Sequence, residues 1–105
     1  MRHMKQVISG LTYATKTAEE IAVNFSSYNS GDFRDWTEKL FKTKKGRFFV
    51  AGQGGPMSRW REAVGNGWTG GDGIIPLMNV EALEWCEVNE VAADVIAKHF
   101  EIEDA

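Results

Sequence analysis

Five acidic side chains near the C-terminal end, Glu84, Glu87, Glu90, Asp94 and Glu101, are spaced as on one helix face. Counted from Glu87, the last four stand at offsets of 0, 3, 7 and 14 residues, and a helix of about 3.6 residues per turn brings such positions to one side. A row of carboxylates does no bond-making chemistry. It attracts cations, and it fits a basic groove on a partner that holds nucleic acid. A solvated helix face produces the same pattern, so binding and solubility are both open at this point. A second set, Lys42, Lys44, Lys45 and Arg47, surrounds Gly46, with Phe48 and Phe49 adjoining. Cations beside aromatics suit a phosphate backbone and its bases. The Phe pair equally suits a core, and lysines also guard exposed sheet edges. A third set is Arg59, Trp60 and Arg61, with Trp68 nearby. Such residues anchor protein interfaces, or, for the two Trp, close a core from a loop.

Residues suited to catalysis are sparse. Cys86 has no histidine near it in sequence, and burial in a helix would raise its pKa and silence it. His99 falls on the apolar side of the same helix, the usual place for a packing histidine. One Cys and one usable His do not make a metal site. Glu19 and Glu20 fit helix capping and no more. The glycine run Gly52-Gln-Gly-Gly55 is followed by Pro56-Met57, where a phosphate-binding loop needs Lys and then Ser or Thr. The dinucleotide fingerprint is missing as well. The expectation is a protein with no catalytic residues, no metal and no cofactor.

The elements that would position these sets follow from local pattern. Lys5 to Tyr13 reads as a short strand bent at Gly10. Thr15 or Thr17 would cap a short helix carrying Glu19 and Glu20 in its first turn and turning Ala18, Ile21 and Ala22 inward. The chain then becomes β-like through Tyr28 and turns at Asn29 to Asp32. Two apolar runs on either side of Lys44-Lys45-Gly46 predict a β-hairpin over 36–51. On its first arm Trp36, Glu38, Leu40 and Lys42 share one parity. Eight of the eleven glycines fall between residues 51 and 73, around one or two helical turns starting near Pro56. Ile74 to Leu77 reads as a strand that Pro76 confines to an edge or a strand end. Asn79 would cap a helix running to about Phe100, with Asn89 as a candidate break. On that wheel Val88, Val91, Ala92, Val95 and His99 share the inward side.

Taken together, the pattern predicts an α+β fold: an antiparallel sheet of three or four strands with a C-terminal α-helix packed on one face. Core candidates are Val7, Ile8, Ile21, Trp36, Leu40, Phe48, Val50, Ile75, Leu77, Leu83, Val91 and Val95. The 105 residues fit one domain, 1–105, in which residues 1–3 read as the remnant of a cloned start and Met4 as the natural one. Six Phe, four Trp and two Tyr supply a core without disulfides or metals. The single cysteine suggests a reducing compartment. No stretch approaches the roughly 18 apolar residues of a membrane span, and the N-terminus lacks an apolar leader core. The expected location is the cytoplasm of a bacterial host cell, with no membrane involvement. The net charge of −3 is unevenly spread, since residues 79–105 hold one Lys against eight Asp and Glu. That asymmetry suits an interaction surface.

Four phrases together resemble a known family: TAEEIA at 17–22, DFRDWTEKLFKTKKGRFFVAGQGGPMSRW at 32–60, AVGNGW at 63–68 and GGDGIIPL at 70–77. They are similar to short proteins carried by phages, plasmids and integrative elements. These share a basic Gly-tipped hairpin, a Gly-x-Gly-Gly loop, an Ile-Ile-Pro-Leu strand and an acidic C-terminal helix. The likeness covers about residues 7–88, so Asp94, Glu101, Glu103 and Asp104 lie outside it. Most such proteins have no assigned activity. The resemblance implies an accessory role that blunts host defence, as anti-CRISPR proteins do, and it carries over no catalytic residue. The leading expectation is therefore a protein partner, a nucleic-acid-binding defence complex, met through Glu84, Glu87, Glu90, Asp94 and Glu101. The alternatives are direct nucleic-acid binding through Lys42, Lys44, Lys45, Arg47, Arg59 and Arg61, and a non-catalytic adaptor using the Arg/Trp set. The oligomeric state is open.

Overall fold

The computed structural model describes all residues, 1–105. In chain order the elements are β1 (Lys5–Ile8), β2 (Leu11–Ala14), β3 (Glu19–Phe25), β4 (Trp36–Lys42), β5 (Phe48–Gly54), β6 (Glu62–Val64), β7 (Gly67–Thr69), β8 (Gly71–Leu77), α1 (Asn79–Val88) and α2 (Ala93–His99). The fold is α+β, as expected. A four-stranded antiparallel sheet in the order β3-β4-β5-β8 forms its centre, and β1–β2 and β6–β7 are separate two-stranded hairpins.

The sheet grows outward from the 36–51 hairpin. Lys42 pairs with Phe48 and Trp36 with Gly54. Gly46, at φ +87°, supplies the left-handed residue that the turn requires. The amides of Thr43 and Gly46 close the turn by donating to the carbonyls of Arg47 and Thr43. Both sheet faces are covered, which is why Phe48 to Ala51 is a continuous apolar run. On one face Leu40, Phe48 and Val50 pack with Trp60, Ala82, Trp85 and Cys86. On the other, Phe41, Phe49, Ala51 and Ile74 pack with Met4 and Tyr13. The helices therefore cover one side and the N-terminal hairpin the other. Two aromatic contacts lock Phe49 in place: Phe41 stacked at 5.1 Å and Tyr13 edge-on at 5.5 Å. On the helix side Gly52 leaves room for the Trp60 ring, which lies where a Cβ would stand.

Several expectations require correction. The segment 15–22 is not a helix; from Glu19 it is strand β3, paired with β4. The turns near Pro56 lead into the β6–β7 hairpin and not a helix. The C-terminal segment is two helices, divided at the candidate break Asn89, which is the C-cap of α1; Met78, not Asn79, occupies its N-cap. Its amide is held by the Glu81 carboxylate at 2.8 Å. Val7 (71 % exposed), Val88 (80 % exposed), Ile75 and Ala92 face solvent. Val91, Ile96 and Phe100 pack on the core. Pro76 does lie on an edge strand, opposite Phe49.

Candidate binding surfaces

The interior of the helix side holds one charged group. Strand alternation turns Glu38 to the same face as Leu40, and the residue is only 7 % exposed. A buried carboxylate needs donors and a counter-charge. Arg59 supplies both, with Nε at 2.6 Å from one oxygen and Nη2 at 2.8 Å from the other. Each oxygen takes one more donor: Trp60 Nε1 at 2.9 Å and Trp85 Nε1 at 3.0 Å. Four donors thus satisfy two oxygens, and no buried side-chain polar atom in the molecule is left without a partner. The group joins β4, the loop before β6 and helix α1. Arg59 is therefore engaged in this buried ion pair while its side chain stays half exposed.

The C-terminal helices are fixed to the sheet at three points. Trp85 reaches Glu38. Asn24 of β3 donates to Asn89 Oδ1 at 2.6 Å, and Asn89 Nδ2 donates to the Trp85 carbonyl at 2.8 Å. Phe100 stacks on Phe48 with centroids 4.9 Å apart. Between the helices the chain turns through Glu90 at φ +55°. The Val91 amide donates to the Cys86 carbonyl and that of Glu90 to the Glu87 carbonyl, the paired bonds of a Schellman stop.

This stop decides the fate of the acidic row. Glu84, Glu87, Glu90, Asp94 and Glu101 are all exposed, and none has a Lys, Arg or His partner within ion-pair distance. They do not form one ridge on one helix. Glu84 and Glu87 lie on the outer side of α1, away from Ala82, Trp85 and Cys86. Glu90 sits in the turn, Asp94 in the first turn of α2, and Glu101 beyond Phe100. The acidic surface is an assembly of two helices and their corner.

The basic residues separate into three places. Lys44, Lys45 and Arg47 are exposed and line a cleft of about 390 Å³ with Thr12, Thr17 and Thr43. Lys42 turns to the helix side, its Nζ 5.5 Å above the Phe48 ring. Arg61 lies 3.9 Å over the ring of Trp68, which is 54 % exposed at the β6–β7 hairpin. Trp60 closes the core; Trp68 does not.

Burial, assisted by the neighbouring Glu87 charge, pushes the Cys86 thiol up from its ordinary pKa. His99 Nε2 lies 3.8 Å from Glu19 Oε2, with no third group beside them. No group of three or more His, Cys, Asp and Glu is placed to hold a metal ion. No helix is long and apolar enough to cross a membrane. No family model matches the chain, and neither the curated proteins nor the solved structures contain a match to it.

Proposed function

We propose that this chain is a non-catalytic inhibitor of a bacterial defence complex, acting in the manner of an anti-CRISPR protein. Its acidic C-terminal surface would occupy a basic surface on which the complex holds nucleic acid. One observation carries the reading: Glu84, Glu87, Glu90 and Asp94 are exposed and unneutralised on a unit tied to the sheet at three points. Carboxylates on an anchored unit lose little freedom when a cationic groove closes on them. The local charge also favours fast encounter with such a groove. An effector that holds a guide–target duplex in a positively charged channel is a fitting target. The resemblance of residues 32–60 to proteins of mobile elements supports the same setting.

The test uses purified RNA-guided effector complexes as probes. Target-DNA binding by each is measured with and without this protein, and then with a variant carrying Glu87→Lys, Glu90→Lys, Asp94→Lys and Glu101→Lys. Inhibition of at least one effector, lost in the variant while its circular dichroism is unchanged, is the expected result. Equal inhibition by the variant would remove the acidic surface from the mechanism.

A second reading, a protein-interaction adaptor, rests on the exposed Trp68–Arg61 stack. Retention of a partner that depends on Trp68 and is insensitive to salt would favour it.

A further inference from the structure

The cleft beside the β4–β5 turn lies on the other side of the sheet from the helices, with Tyr13 of the N-terminal core in its wall. Three cations, Lys44, Lys45 and Arg47, line it together with three threonines, and no carboxylate does. None of the three cations has an acidic partner within 4.0 Å. Thr43 Oγ1 accepts the Arg47 amide at 3.0 Å, which leaves its hydroxyl hydrogen free to point outward. From this arrangement we infer a second binding site, separate from the acidic surface, that takes the phosphate backbone of a nucleic acid.

The chemistry selects this ligand over its neighbours. A site for a small phosphate compound encloses it with buried donors, whereas all three cations here are exposed at the rim of an open cleft. Exposed cations bind a long polyanion by releasing its counterions. The Tyr13 ring is buried edge-on against Phe49, so the cleft offers no free aromatic face for a base. Recognition therefore reads phosphates and not sequence.

The test is fluorescence anisotropy with a labelled single-stranded DNA of mixed sequence, its duplex, and inorganic tripolyphosphate as competitor. With three cations engaged, affinity for the single strand falls about 20-fold between 50 and 200 mM salt. A variant with Lys44→Ala, Lys45→Ala and Arg47→Ala binds at least about tenfold more weakly and keeps the wild-type melting curve, while Thr12→Val, which removes no charge, loses far less. Three results would overturn the assignment: no binding of either DNA at low salt, undiminished binding by the triple variant, or tripolyphosphate binding more tightly than either DNA.

Discussion

The indole of Trp85 donates to the carboxylate of Glu38 at 3.0 Å across 47 residues of sequence. That bond joins the first helix to the second strand of the central sheet. Because Arg59 and Trp60 also end on that carboxylate, two separate pieces of chain, the loop before β6 and helix α1, are tied to one acceptor on a third, β4.

Replacing Glu38 with Ala leaves two indole donors and a guanidinium without their acceptor. The expected loss is about 3 kcal/mol, read as a lower midpoint in urea unfolding. Arg59→Ala costs less, about 1–2 kcal/mol, because both indoles still donate to the carboxylate and water can enter the space that the half-exposed guanidinium vacates. Equal losses for the two variants would mean that the guanidinium, and not the indoles, holds the carboxylate.

Glu90 occupies a left-handed position that glycine fills more easily. Glu90→Gly is expected to raise stability by about 0.5–1 kcal/mol through relief of that strain. Thermal melting checks it. A loss of stability would mean that the carboxylate contributes more to the corner than its backbone costs.

Cys86 is fully buried, and its thiol titrates above the ordinary range. The native protein should resist iodoacetamide at neutral pH and react on unfolding. The sign of the pH effect follows from the raised pKa. Stability is undisturbed below the thiol's ordinary value and falls as pH rises above it, because the unfolded chain loses the proton first. Cys86→Ala should flatten that alkaline decline, as followed by urea midpoints across the alkaline range.

The sequence made the 36–51 hairpin readable because Gly46 stands between two apolar runs. It disguised β3. Ala18, Ile21 and Ala22 have helical spacing, yet the register shift between Glu20 and Ala22 is a bulge that turns two consecutive residues, Ile21 and Ala22, toward the same core. A bulged strand thus imitates a helix, and the Lys39–Glu20 ion pair at 3.0 Å helps settle it in the sheet. The β6–β7 hairpin left no signal because all six of its strand residues are exposed. Asn89 marked the division between α1 and α2, but the left-handed residue after it is a glutamate where a glycine would have announced the full stop. Of the candidate surfaces, exposure of the acidic residues was legible from their spacing, but their arrangement around a corner was not. The role of Arg59 depended on Glu38, 21 residues away, and no local pattern announces such a pairing.

The β6–β7 hairpin leaves the molecule between two paired strands and comes back to the point it left, with Gly54 and Gly71 partners in the sheet. Its tip at Gly65 and Asn66 bears on neither core. Lengthening such a tip is cheap in chain entropy, about 0.6 kcal/mol for each doubling. The tip is thus a natural graft point, where residues can be added while the scaffold beneath it stays the same.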